Sequence, residues 1–344
     1  MTRFTRLDQN LITAFFVLAE TKNESGKEFF HYDSVLMLQM LSLNRFIYLS
    51  LIPLILCGCY LKEPASLKAD ENISNSLKDS LTIWVLSDIQ PRKRKQRKEF
   101  ERAIHDINQN VPGIDFAIVA GDILQEVSEE GFDWYLSTRN TSYVKEWCEI
   151  LGNHDLNPDD GKLYRKRIRE DFHYSILKGN ILFIFMSDEI KSSATDISDE
   201  TFNWWRSLVV NTQDKIIVTV THAPLEGSRI PFSTLSRRQI TDSKRFTEVL
   251  RKYKVDIWLS AHLHVPEWFP NNINRVKKYN GTIFINVAGI RTEALGLKQS
   301  ESRIITFVCG SDRVLVRSRN HTQEAYNKDL DVVFNLLKEY KCEG

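Results

Sequence analysis

Cysteine is scarce, with five residues in a chain of 344. None pairs at the two-residue spacing of a zinc or redox motif, and their scatter excludes a disulfide framework as the organising principle of the fold. Cys148 and Cys309 read instead as small buried hydrophobes. An excess of charge of one sign is also missing. The formal net charge of +1 gives no global reason to expect nucleic acid or an anionic surface as a partner. The apolar run at residues 46–59 holds 14 residues and is interrupted by Pro53, too little to cross a bilayer as a helix. From residue 80 onward there is no internal repeat and no low-complexity tract.

What is present begins with that run. Its length and the preceding Arg45 suit the apolar core of a secretory signal. Its end, Leu56-Cys57-Gly58-Cys59, resembles a bacterial lipobox, which implies lipidation of Cys59 as the mature N-terminus and a membrane anchor in the cell envelope. The polar stretch before the run suggests that translation starts at Met37 or Met40. Two other readings stand beside this one: an uncleaved anchor, and a core helix of a cytoplasmic protein. On the first reading, residues 1–59 are an extension and signal segment, and residues 60–79, rich in Lys, Glu, Ser, Asn and Asp, are a tether. The folded domain then spans 80–325, and residues 326–344 form a terminal helix, with Leu330, Val333, Phe334, Leu337 and Tyr340 on one face.

Within the domain, short apolar runs rich in β-branched residues each end abruptly in a polar cluster. Leu81–Leu86 runs into Ser87-Asp88-Ile89-Gln90, and Phe116–Ala120 into Gly121-Asp122. Residues 147–151 run into Gly152-Asn153-His154-Asp155, and Ile181–Met186 into Ser187-Asp188-Glu189. Residues 216–220 run into Thr221-His222, and Ile257–Ser260 into Ala261-His262-Leu263-His264. Such runs predict strands covered on both faces by helices. Helical periodicity marks 95–110, 199–210 (with Ser198 and Thr201 as start signals) and 242–253 (with Asp242 or Thr241 as a cap). Alternation of strands and helices predicts parallel βαβ units. Late strands follow at 282–287, 303–309 and 313–318, the last two close enough to pair as a hairpin. The fold class is α/β, with two packed mixed sheets flanked by helices.

In open α/β sheets, ligands gather beyond the carboxyl ends of the strands. Besides the end at Asp188, five of these ends carry Asp, Asn or His, the side chains that hold hard or borderline metals. Each alone has an ordinary alternative: a turn, a core histidine, a helix cap. Five in one order have no purely structural explanation.

Taken together they resemble the calcineurin-like metallophosphoesterase superfamily, whose motifs run Asp-x-His, Gly-Asp, Gly-Asn-His-Asp/Glu, a lone His and Gly-His-x-His. The resemblance covers about residues 80–290. It implies that Asp88 and His264 hold a first metal, that Asn153, His222 and His262 hold a second, and that Asp122 bridges them. It further implies in-line hydrolysis of a phosphomonoester or phosphodiester assisted by two divalent ions. His154 would protonate the leaving oxygen, and Asp155 would orient its ring. A small phosphorylated substrate is expected, and no nucleic acid.

The chain departs from the pattern twice. Gln90 replaces the usual first-motif histidine, so the first metal meets an amide oxygen or nothing there. An amide is harder and weaker than imidazole, which favours manganese or magnesium over zinc or iron. A similar Asp-x-Gln occurs in the branch of Mn-dependent diphosphatases acting on nucleotide-linked substrates, which is the alternative function; a catalytically degenerate metal-binding domain is a third. Ala261 stands where glycine is usual, a small change unless the backbone needs positive φ. The basic run 92–98 reads either as a solvated helix start or as a funnel for an anionic substrate. Arg92, Arg94, Arg229 and Arg291 are candidate phosphate contacts, and 225–241 is expected to be a long loop able to form a lid.

Overall fold

The computed structural model describes residues 80–190, 195–291 and 299–342. The expected signal segment at 1–59, with Cys57 and Cys59, and the tether at 60–79 lie outside the described residues.

The first sheet is built on β1 (Leu81–Leu86), β2 (Phe116–Ala120) and β3 (Glu146–Ile150), which run parallel. β10 (Glu301–Phe307) pairs antiparallel with β1, and β11 (Arg313–Asn320) with β10, as the expected hairpin. The second sheet has the order β4 (His173–Lys178), β5 (Ile181–Met186), β6 (Ile216–Thr221), β7 (Ile257–Ser260), β9 (Thr282–Asn286), β8 (Ile273–Val276). Its central strands β5, β6, β7 and β9 are parallel, and antiparallel strands close both edges.

The two sheets pack face to face. Alternate residues Ile83 and Val85, Phe116 and Ile118, Phe183 and Phe185, and Val218 and Val220 form the shared core, as the period of two requires. The intervening residues face helices. Trp84, Leu86, Ala117 and Val119 pack under α1 (Arg97–Asn110) and α2 (Glu129–Arg139). Leu182, Ile184 and Ile217 pack under α4 (Asp199–Asn211) and α5 (Ser243–Leu250), and α3 (Lys162–Arg167) lies between β3 and β4 in the chain. The strands are therefore apolar on both faces because one face meets helices and the other meets the partner sheet, rather than helices on both sides. Ser198 caps α4 by accepting from Thr201 N–H; Asp242 holds the cap position of α5, but its side chain makes no capping bond.

Two expectations fail near the C-terminus. Residues 326–341 are not a helix: β12 (Ala325–Tyr326) and β13 (Val332–Asn335) both pair with β11. The run Val332-Val333-Phe334 favours extended backbone, and the open edge of β11 offers it ladder partners. Val333 packs on Leu315, whereas Leu337, assigned to the buried face of the supposed helix, is 78% exposed. This return brings Cys342 beside the end of β10, where it forms a disulfide with Cys309 at a Cα separation of 5.5 Å. Cys309 is thus a half of a staple rather than a free core residue, while Cys148 is free and buried.

Candidate metal centre

The chemistry-bearing residues follow the carboxyl ends of parallel strands. Asp88 lies two residues past β1, Asp122 two past β2, and Asn153 three past β3; His222 directly follows β6, and His262 lies two past β7. Asp88, Asp122, His222 and His262 are buried, while the His264 side chain is 23% exposed and opens the group to solvent. Asp122, His222 and His262 bring ligand atoms within 4.8 Å of one another, as do Asp88, Asp122 and His264. Asp122 is common to both groups, the position expected of a bridge.

Hydrogen bonds fix which atoms face inward. His222 Nδ1 lies 2.7 Å from the Ala120 carbonyl and donates to it, which turns Nε2 toward the centre. His262 Nε2 lies 3.1 Å from the Arg237 carbonyl and donates to it, which turns Nδ1 inward. Those two inward nitrogens are 3.2 Å apart, and His222 Nε2 is 3.2 Å from Asp122 Oδ2. With both outer nitrogens donating, the neutral rings turn two lone pairs toward the Asp122 carboxylate oxygen, a donor set that fits a cation.

The carboxylates are divided in the same way. Asp122 Oδ1 accepts from His154 N–H at 3.0 Å, leaving Oδ2 for the centre. Asp88 Oδ2 accepts from His262 N–H at 3.3 Å, leaving Oδ1 3.3 Å from His264 Nε2. Asp88 Oδ1, Gln90 Oε1, Asp122 Oδ2 and Asn153 Oδ1 are all buried without a hydrogen-bond partner. Unpartnered buried oxygens are unfavourable, and oxygen donors of this kind suit hard divalent ions. Gln90 Nε2 sits 2.8 Å from His264 Nε2. Turning the amide over would present Oε1 there instead.

The backbone is shaped for this convergence. Asp88, Asp122, His262 and His264 all have positive φ, between 49° and 67°. Non-glycine residues rarely adopt that region, and it concentrates at functional sites. Gly121, at φ 91°, admits His222: an added Cβ would lie 2.5 Å from His222 Nδ1. A Cβ on Gly152 would fall onto Asp122 Oδ1. Ala261 is not among the positive-φ residues, and its methyl joins the inter-sheet core, so the missing glycine leaves no strain.

His154 stands next to the centre, but its ring partner is not Asp155. Asp155 accepts instead from the backbone N–H groups of Ile123, Leu124 and Gly152 at 2.9–3.0 Å, clamping two ligand loops together. The ring partner is Gln125, whose Nε2 lies 2.9 Å from His154 Nδ1. Gln125 Oε1 accepts from Arg92 Nε and from Arg291 Nη1, each at 3.3 Å. The two guanidinium groups thereby orient the amide so that its NH₂ donates to Nδ1, which leaves the His154 proton on Nε2. Arg291 is buried and also donates to the Gln90 carbonyl at 2.6 Å. Arg94 and Arg229 lie exposed. Gln125 is the third residue after Asp122, in the same strand-end loop, and that nearness to a candidate ligand was the available signal.

Electrostatics follow the geometry. Burial would raise the Asp122 carboxyl, but the imidazoles of His222, His154 and His262 outweigh it and hold it well below the usual range. Burial would lower His222, but Asp122, Asp88 and Asp188 hold it well above the ordinary imidazole value. His262 is pushed down to about 3 by burial and by His222 beside it. Burial and the Asp122 charge push Asp155 up to about 7. Asp188, just past β5, is raised by burial and Asp122 despite His222; it accepts from Thr195 Oγ1, and its other oxygen has no partner. Sequence reading gave Asp188 no role. The loop 225–241 is tied to the centre through Arg237.

Comparison with known proteins agrees with this geometry. Residues 81–266, more than half of the chain, match the calcineurin-like phosphoesterase family. A probable cyclic nucleotide phosphodiesterase of Xenorhabdus bovienii is 24% identical over 217 residues, which is 55% of this chain and 81% of that protein. Among solved structures, the purple acid phosphatase PPD1 of yellow lupin (Lupinus luteus) seeds aligns with a TM-score of 0.56 and 15% identity, over 78% of this chain and 57% of its own length. GAP50, described as the anchor in the inner membrane complex of Plasmodium, aligns at 0.51 and 14% over 77% of this chain and 92% of its own. These two likenesses show the fold. The chain belongs to the calcineurin-like phosphoesterases and is a phosphoric ester hydrolase.

Proposed function

We propose that the chain hydrolyses a phosphodiester with the aid of two divalent ions. The observation that carries this is the set of converging acceptors, His222 Nε2, His262 Nδ1 and Asp122 Oδ2, beside the unpartnered oxygens of Asp88, Gln90 and Asn153. Asp88, His264 and the Gln90 amide oxygen would hold one ion. Asn153, His222 and His262 would hold the other, with Asp122 shared. When bound, the ions supply charge neutralisation at the phosphoryl group and acidify the attacking water. His154, with its proton on Nε2, donates to the departing oxygen. Arg291 keeps a positive charge at the same rim and, through Gln125, holds that tautomer. Hard donors at the Gln90 side favour manganese or magnesium over iron or zinc. The preference for a diester rests on the name of the Xenorhabdus bovienii relative. Gln90 favours a second reading, a diphosphatase for nucleotide-linked substrates.

Export and a lipid anchor at Cys59, placing the enzyme in a bacterial envelope, form part of the proposal. The Cys309–Cys342 disulfide supports it, because such bonds persist in oxidising compartments.

The test uses the full chain, stripped by a chelator and titrated with Mn²⁺, assayed on bis-p-nitrophenyl phosphate and p-nitrophenyl phosphate. Metal-dependent turnover of the diester is expected, with a rise in melting temperature on metal addition. Asp122→Asn should lose roughly 100-fold or more, since even outer partners of metal ligands matter 10–100-fold. Release of a nucleoside monophosphate from a dinucleotide diphosphate, with no turnover of either ester, would favour the second reading. A chain that binds no metal would overturn both.

A further inference from the structure

We infer that the chain has a second anion site, apart from the metal centre, that takes the phosphate group of a ligand between the start of α1 and the segment entering β10. A cavity of about 300 Å³ opens there, lined by Lys95, Lys98, Arg102, Glu99, Ser300 and Thr322, with Gln299 at its edge. The three cations stand at i, i+3 and i+7 along the turn Arg94–Gln96 and α1, so they share one face. Like charges so placed repel one another. Arg97, in the same run, is paired with Glu130 at 3.1 Å, whereas Lys95, Lys98 and Arg102 make no ion pair among the described residues. The lining thus carries three cations against one carboxylate.

Polar groups on the floor point to the same ligand chemistry. Ser300 is 2% exposed and its Oγ has no hydrogen-bond partner. Thr322 Oγ1 accepts from Ser300 N–H at 3.3 Å, which leaves its own hydroxyl proton to donate. The Gln299 Oε1 is buried and unpartnered as well, and the reversed amide presents a donor. A buried hydroxyl left unmatched asks for a partner, and beside three cations that make no ion pair among the described residues an anionic oxygen is the one that answers both needs.

The site is separate from the centre but close to it. Glu301, next to Ser300, donates from its backbone N–H to Gly289, and a Cβ on Gly289 would meet Asp88 Cβ at 3.0 Å. Chaining those steps puts Ser300 within roughly 15 Å of Asp88. None of the cavity's lining residues is a candidate metal ligand, so the phosphate bound here is not the one being cleaved. It belongs either to a soluble phosphate compound or to a lipid headgroup facing an anchored enzyme, and the chemistry of capture is the same.

Calorimetry with inorganic pyrophosphate on the full chain tests this, using Asp122→Asn as background to silence the metal centre. The triple variant Lys95→Gln, Lys98→Gln, Arg102→Gln should weaken binding about tenfold or more, with a melting temperature within about 2 °C of the parent because these side chains are exposed. Ser300→Ala, which leaves every charge in place, should weaken it by about threefold. Co-sedimentation with vesicles of phosphatidylglycerol or phosphatidylcholine identifies the source. Binding to the anionic vesicles that is lost in the triple variant assigns a headgroup; pyrophosphate binding with no such difference assigns a soluble phosphate. Equal affinities of parent and triple variant for pyrophosphate and for both vesicles would overturn the site. A loss in the triple variant with none in Ser300→Ala would reduce it to diffuse surface charge and overturn it too. Neither outcome depends on turnover at the metal centre.

Discussion

Replacing Gln125 with leucine should slow cleavage of esters with poor leaving groups far more than that of esters with good ones. Gln125 Oε1 is engaged by Arg92 and Arg291, so only its NH₂ faces His154 Nδ1, at 2.9 Å. That contact keeps the imidazole proton on Nε2, where a departing alkoxide can take it. Leucine fills similar space but leaves Nδ1 without its donor, and the ring is then free to carry the proton on the wrong nitrogen or to turn. One neutral hydrogen bond is worth about 1 kcal/mol, roughly fivefold. General-acid catalysis as a whole contributes roughly 10²- to 10⁴-fold. The loss on an alkyl ester should therefore fall between these, roughly 10- to 100-fold in kcat. A p-nitrophenolate leaves without a proton and should lose no more than about twofold. The assay is kcat across a series of phosphodiesters, plotted against leaving-group pKa, and the variant's slope should be steeper. A uniform loss across the series would refute the reasoning, because a residue that merely supports the loop affects every ester alike.

Two further outcomes follow from other parts of the chain. Asp106 of α1 is fully buried, accepts from Arg319 Nε at 2.8 Å and again from Arg319 Nη2, and receives His321 Nδ1 at 2.8 Å. Asp106→Asn strands the Arg319 charge and should destabilise the fold by about 3–5 kcal/mol in a denaturant melt at neutral pH. Burial opposes ionisation of Asp106, but Arg319 and His321 outweigh it and depress its pKa. The stability it supplies is therefore complete above the ordinary carboxylate range and lost as pH falls below it, so parent and variant should converge in acid; a gap that stays constant from neutral pH to about pH 3 would contradict this. For the anchor, mass spectrometry of the membrane fraction should find no unmodified peptide covering residues 56–62; such a peptide from the mature protein would exclude lipidation at Cys59.

The strands were legible because each apolar run has the length of a strand and stops at a polar cluster. Leu81–Leu86, Phe116–Ala120 and Ile181–Met186 have the observed limits. The tail was not legible, since Val333, Phe334 and Leu337 satisfy a helical spacing as well as a strand, and only the open edge of β11 decides between them. The Cys309–Cys342 pair depends on that same return and could not be read before it. In the site, residue types at strand ends pointed to the candidate ligands, but partner choice did not follow from adjacency. Asp155 neighbours His154 in sequence, yet its carboxylate turns to three backbone N–H groups of the loops on either side. Gln125, 29 residues away in sequence, takes the ring instead.

The shape of the centre shows why the surrounding fold must be stiff. A non-glycine residue at positive φ costs of order 1–3 kcal/mol, and Asp88, Asp122, His262 and His264 all accept that cost. Buried oxygens without partners add to it at Asp88, Gln90, Asp122 and Asn153. None of these groups can relax alone. Asp88 N–H is bonded to the Gly121 carbonyl and Gln90 N–H to the Asp122 carbonyl, so the first two loops brace each other. Ala261 N–H is bonded to the His222 carbonyl, which braces the loops after β6 and β7, and His262 N–H reaches across to Asp88. The strands behind these loops are locked by the inter-sheet core on one face and by the helices on the other. A softer scaffold would let the acceptors turn away from one another and find hydrogen bonds elsewhere. The double burial of each strand and the strain at its carboxyl end are thus two parts of one device, which holds like-charged and lone-pair atoms together until a cation joins them.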